Sequence, residues 1–263
     1  MLHQLWENPI FVRARQVEER ALNGGLKAFL HRYGVSFMLL LGPLGLCLSL
    51  TSDLRTWDRD VLAPALAFSG FMLVIYFTFK ALGSTLGAVS VEKEQRTYDP
   101  LLGTLLGPRE VVAGKLASAL WPVFRELAGV APAALVLGSL AGAPVETASF
   151  VLLCGASVLF FGLLGLWASF AANSTRRASR VATTLAALCI LGGPMVDSFF
   201  AAALGACGPE SIRFCTFSSP LAAAGFILSG EPAEWITTLA FYALVGGLLW
   251  THCARWAQKA EDR

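Results

Sequence analysis

Six stretches of this 263-residue chain run apolar with almost no charge to interrupt them: about Val35–Leu50, Val61–Phe79, Leu127–Ala143, Ala148–Ala172, Val181–Leu204 and Trp235–His252. Each approaches the ~20 residues that a helix needs to cross the hydrocarbon layer. Lipid offers backbone groups no hydrogen-bond partner, so only helices or a closed barrel can cross it. These runs are continuous rather than alternating, which argues for helices over barrel strands. Only 14% of the residues are charged and 56% are hydrophobic, against about a quarter charged in soluble domains. A soluble core cannot hide that much apolar surface, because a domain of ~250 residues still leaves about a quarter of its unfolded-chain surface in water. The low charge and 11% aromatic content also exclude disorder. The expectation is an all-α integral membrane protein with six transmembrane helices. A net charge of +2 carries no nucleic-acid signal.

Basic residues between spans set orientation. Seventeen of the 20 lie in the N-terminal segment, in the links after the second and fourth runs, or at the C-terminus; Arg55, Arg59 and Arg213 are the exceptions. Both termini are therefore expected on the cytoplasmic side, in agreement with an even number of spans. The first 33 residues are polar and basic and no small-residue cleavage site follows, so the first run reads as a retained span. Of the six cysteines, Cys207 and Cys215 lie in the outer link between the fifth and sixth runs. They fit either a disulfide on the oxidising side or two unpaired thiols in a packed loop. No CxxC or His/Cys metal spacing occurs, so no metal site is expected.

Two organisational units follow: residues 1–33, an N-terminal helix, and residues 34–263, the six-span domain. Asn8-Pro9 has the form of a helix start, with Asn as N-cap and Pro at the first helical position. Trp6, Ile10, Ala14, Val17 and Ala21 recur at helical spacing, which describes a helix lying in the cytoplasmic headgroup layer. The alternative is a solvated basic leader. The outer link Gly205–Glu234 contains a semi-apolar stretch, Leu221–Leu228, too short to span. It fits a re-entrant helix, an outward-lying one, or a cap over the bundle. Trp235 and Trp250 fit interfacial belts.

The link from Lys80 to Glu126 is far longer than a helix hairpin needs. It predicts two short helices. One is about Thr97–Leu106, with Leu101, Leu102, Leu105 and Leu106 on one side; the other follows Pro108 and continues toward the third span. Exposed leucines on a protrusion beyond the lipid need a protein partner. The run Glu92-Lys93-Glu94-Gln95-Arg96-Thr97-Tyr98-Asp99-Pro100-Leu101-Leu102-Gly103-Thr104, followed by Arg109-Glu110-Val111-Val112-Ala113-Gly114-Lys115, resembles the segment after the second span in permease subunits of ABC-2-type transporters. The chain departs from the family pattern at Arg96, where the family usually has Gly, and at Leu105, where it usually has Pro. The opening Asn8-Pro9-Ile10-Phe11-Val12-Arg13 and the six-span layout extend the likeness over the whole chain.

The resemblance implies an ATP-driven exporter of the inner (plasma) membrane, in which this chain pairs with a second permease copy or homologue. Separate ABC ATPase subunits would bind the ATP and magnesium, and residues 1–33 would be the connecting or elbow helix. The protrusion would hold a coupling helix seated in the ATPase, with Glu92, Glu94, Arg96, Thr97, Asp99, Leu101, Leu102 and Leu105 as the contact and Glu92 and Glu94 paired to nearby basic residues. The chain has no GxxxxGK[ST] loop to cradle phosphates, so no cofactor and no ATP hydrolysis are expected of it. Asp197, after Gly192-Gly193-Pro194, is either a functional intramembrane acid or a group reaching the outer headgroups. Arg125-Glu126 reads as a local ion pair anchoring the third span, or as part of a pathway. Two rival functions remain. One is a membrane scaffold or anchor subunit that transports nothing. The other is an intramembrane serine protease using Ser157 and His252, which the difference in their depths opposes.

Overall fold

The computed structural model describes residues 8–22, 25–50, 59–95, 107–203, 216–230 and 232–261. Among these residues all regular structure is helical: α1 (Pro9–Leu22), α2 (Gly25–Leu50), α3 (Arg59–Leu86), α4 (Ser90–Glu94), α5 (Pro108–Leu140), α6 (Pro144–Ala171), α7 (Thr175–Ala187), α8 (Gly193–Ala203), α9 (Pro220–Ser229) and α10 (Pro232–Glu261). A π-helical turn, Leu188–Gly192, joins α7 to α8, and a 3-10 turn, Thr216–Ser218, precedes α9. Five stretches are long and apolar enough to cross a membrane: Leu62–Glu94, Pro108–Leu140, Pro144–Ala171, Thr175–Phe199 and Glu234–Lys259. They contain most of the second to sixth expected runs. The first run falls in α2, a 26-residue helix whose apolar part Arg32–Leu46 is shorter than these five.

Several helices run past the limits that hydropathy sets. α3 continues beyond Phe79 to Leu86 and so carries Lys80 within the helix. α5 is one 33-residue rod rather than a short helix followed by a span. Gly107 is its N-cap, Pro108 opens it, and the Glu110 carboxylate accepts from Gly107 N at 3.1 Å. α7 starts at Thr175 under Ser174, whose hydroxyl accepts from Arg177 N, so Arg176, Arg177 and Arg180 lie on helix rather than in a link. A helix does not stop at a charge when that charge has a partner or can reach polar surroundings.

α6 is the centre of the bundle, flanked by α3, α5, α7, α9 and α10. Leu153, Val158, Phe161 and Leu166 are fully buried along it. Close approach depends on missing side chains: a Cβ at Gly165 would stand 2.8 Å from the Leu82 carbonyl, and one at Gly162 would stand 2.7 Å from Leu120. On the α10 side Phe160 stacks on Tyr242 with centroids 4.4 Å apart, a contact that adds orientation to apolar burial.

α1 packs on the first half of α5. Phe11 is buried and meets Trp121 edge-to-face at 5.5 Å, while Ile10 and Ala14 of the expected apolar stripe are half-buried. Asn8 does two jobs: its Oδ1 accepts from Ile10 N at 3.0 Å as the N-cap, and its Nδ2 donates to Glu110 O at 2.9 Å. A Cβ at Gly114 would stand 2.6 Å from that amide.

Residues 216–230 pack into the bundle. Ser218 Oγ donates to Cys189 O at 2.9 Å and Ser219 Oγ to Ile190 O at 2.7 Å. These carbonyls belong to the π turn, where the α-helical ladder is interrupted. Ile190 precedes Ala203, the end of α8, by about 20 Å of helix at ~1.5 Å per residue, so Ser219 lies well inside. α9 then runs among α3, α6 and α10 with Ala223 and Ala224 fully buried, and Gly230 ends it at φ 72°. Leu221–Leu228 falls in α9, a ten-residue helix packed among three others. Cys207 and Cys215 lie outside the described residues, as do Arg96, Thr97, Asp99, Leu101, Leu102 and Leu105.

Candidate functional site

The short helix α4, which residues 96–106 follow in the sequence, is bound to three neighbouring helices. On the α6 side, Ser169 Oγ accepts from Val89 N at 3.0 Å and Ser90 N at 2.8 Å, which satisfies two amides at the start of α4. Lys93 Nζ donates to Phe170 O at 2.6 Å and to Ala172 O at 3.5 Å, taking up carbonyls at the end of α6. Toward α5, the buried Lys115 Nζ donates to Glu92 Oε2 at 2.5 Å and to Ala88 O at 3.0 Å. Toward α7, the Glu94 carboxylate accepts from Thr175 N at 2.7 Å and Thr175 Oγ1 at 3.1 Å. A carboxylate in that place opposes the positive end of the α7 dipole. An apolar cluster of Val89, Val112, Leu166, Phe170, Cys253 and Ala257 lies beneath the knot and brings in α10. The arrangement performs no bond chemistry. It ties α4 to α5, α6 and α7 at once.

A second polar site lies deeper. Glu126 is fully buried, and its carboxylate accepts from Ser36 Oγ on α2, from Tyr76 OH on α3 at 2.9 Å, and from Lys80 Nζ on α3. Lys80 also donates to Tyr76 OH at 2.7 Å. Leu120 faces Gly162 and Gly138 faces Thr147, so Glu126 stands opposite about the middle of α6. Adjacent residues on a helix do not face each other. The Glu126 contacts therefore run to α2 and α3 rather than locally to Arg125, as the sequence suggested. Arg125 lies near enough to Arg32 to interact electrostatically with it.

The sequence reading missed Ser36, Tyr76, Lys80, Lys115, Ser169 and Thr175. The one local signal was Tyr76–Lys80 at i,i+4 on a single helix face. The Asp197 carboxylate is buried and accepts from Thr216 N at 2.6 Å and from the Thr216 hydroxyl, holding the inserted segment. Ser157 and His252 do not meet. His252 Nδ1 accepts from Trp167 Nε1 at 3.4 Å, about 15 Å along α6 from Ser157. Ser157 Oγ lies near the Tyr242 hydroxyl without a hydrogen bond of ordinary length. Among the described residues no three His, Cys, Asp or Glu side chains gather where a metal ion would sit. No protein-family model matches the chain, and no curated protein matches it either.

Proposed function

We propose that the chain is the permease subunit of an ATP-driven ABC transporter of the ABC-2 type, exporting its substrate by alternating access. In this reading α2 supplies the sixth span, both termini face the cytoplasm of a cell whose inner membrane holds the protein, and two permeases pair around the pathway. Residues 96–106 dock on a separate ATPase, and α1 is the elbow helix. The observation that carries the reading is the α4 joint. The run whose sequence resembles a coupling region begins within α4, and α4 is hydrogen-bonded or ion-paired to three other helices. ATP can bias the spans only through contacts that differ between its bound states, and such a joint is what carries that bias inward. On this topology Glu126 and Lys80 lie near mid-membrane, where ionisable groups are costly and mark function.

Co-purification with an ABC ATPase subunit co-expressed with the chain tests the proposal. Changing both Leu101 and Leu102 to Asp is expected to abolish association while leaving the permease folded in the membrane. Association that survives both changes favours the scaffold or anchor reading.

A further inference from the structure

A cavity of about 430 Å³ opens at the α5–α6 turn and runs inward between α3, α5 and α6, within the size range of small-molecule sites. It exists because five of its wall positions are alanine, at 63, 67, 131, 134 and 143, where larger residues would fill it. Leu73, Leu127, Val130 and Phe150 complete an apolar wall. Leu40, Leu73 and Val130 each lie about one helical turn from the Ser36–Tyr76–Glu126 cluster, so the floor ends just short of the buried charges.

Two polar side chains line this cavity, and they differ. Thr147 Oγ1 is occupied, donating to Ala143 O at 2.8 Å. Glu146, in the first turn of α6, is exposed and makes no hydrogen bond or ion pair among the described residues. An apolar chamber with one unpartnered carboxylate at its mouth disfavours an anion, and it leaves a neutral guest with no partner for that charge. We propose that this cavity binds an organic cation with bulky apolar substituents, its body among Leu73, Leu127 and Phe150 and its charge beside Glu146. The claim concerns binding by this chain alone; only its extension to exported cargo rests on the permease reading.

Tetraphenylphosphonium and tetraphenylborate share a shape and differ in the sign of their charge. Saturable binding of each to the purified full chain in phosphatidylcholine nanodiscs, above protein-free discs, tests the proposal. Tetraphenylphosphonium is expected to bind roughly tenfold tighter, about 1.4 kcal/mol. Glu146→Gln, at an exposed position that burial does not constrain, is expected to bring the two ions within about threefold. Ala134→Phe, filling the chamber, is expected to weaken tetraphenylphosphonium binding by about tenfold or more. Equal binding of the two ions, a preference that survives Glu146→Gln, affinity unmoved by Ala134→Phe, or no saturable binding would each overturn the proposal. No ATPase is present, so failure here leaves the permease reading standing, and loss of ATPase association leaves this site standing.

Discussion

At the α4 joint the lysines lean on the main chain: Lys93 on the carbonyls of Phe170 and Ala172, Lys115 on the carbonyl of Ala88, with Glu92 as a half-open carboxylate beside it. At Glu126 the partners are side chains from two other helices, Ser36, Tyr76 and Lys80, and the carboxylate is 1% exposed. The joint is built on helix ends, which have unsatisfied backbone groups to offer. The buried cluster sits in mid-helix, where the backbone has no spare groups, so only other side chains can satisfy the charge. The first arrangement ties one short helix to the ends of its neighbours. The second depends on α2, α3 and α5 keeping one alignment, and a shift of α3 against α5 must break or exchange the Lys80–Glu126 ion pair.

The contrast can be broken by removing one partner at a time. Glu126→Ala is expected to have the largest effect, about 3–5 kcal/mol, because it strands the Lys80 ammonium. Thermal or denaturant unfolding in mixed micelles would read this. Replacing Glu126 and Lys80 together with leucine is expected to recover most of the loss, since a well-packed apolar pair substitutes for a buried ionic one. Lys115→Met is expected to cost about 1.5–3 kcal/mol in the same assay, through the charged bonds to Glu92 and Ala88 O. Glu94→Ala removes the carboxylate at the α7 N-terminus and is expected to cost about 1 kcal/mol. It should also speed amide exchange at Thr175, read by mass spectrometry. Arg15→Ala, at the exposed α1 pair with Glu19, is expected to shift stability by only about 0.3–0.5 kcal/mol. A comparable loss at Arg15 and Glu126 would erase the distinction between surface and buried pairs.

The apolar runs locate the long helices, and local signals locate two starts: Asn8-Pro9 for α1 and Gly107-Pro108 for α5. Hydropathy stops too early at Lys80 and Glu126 because it scores each charge as exposed. Their pairing joins residues far apart in sequence, and no local pattern records it. Gly192-Gly193-Pro194 signals a loosened helix, and a π turn lies there. That its carbonyls are taken by Ser218 and Ser219 depends on a segment 29 residues further on packing into the bundle, which spacing alone does not specify. Glu92 stood out by its place in a charged run. Lys115 and Thr175 did not, because a lysine on an amphipathic helix and a threonine at a helix start are ordinary in isolation.

Under the proposed permease reading, stimulated ATP hydrolysis, measured on the chain assembled with an ABC ATPase and with Glu92 and Glu94 both changed to alanine, tests most directly whether the α4 joint couples that ATPase to the membrane helices. These changes untie α4 from α5 and α7 while leaving the leucines of residues 101–106 in place. The account predicts that the ATPase still co-purifies and keeps its basal rate but loses the stimulation that the permease confers. Stimulation equal to that of the unmodified complex would contradict it.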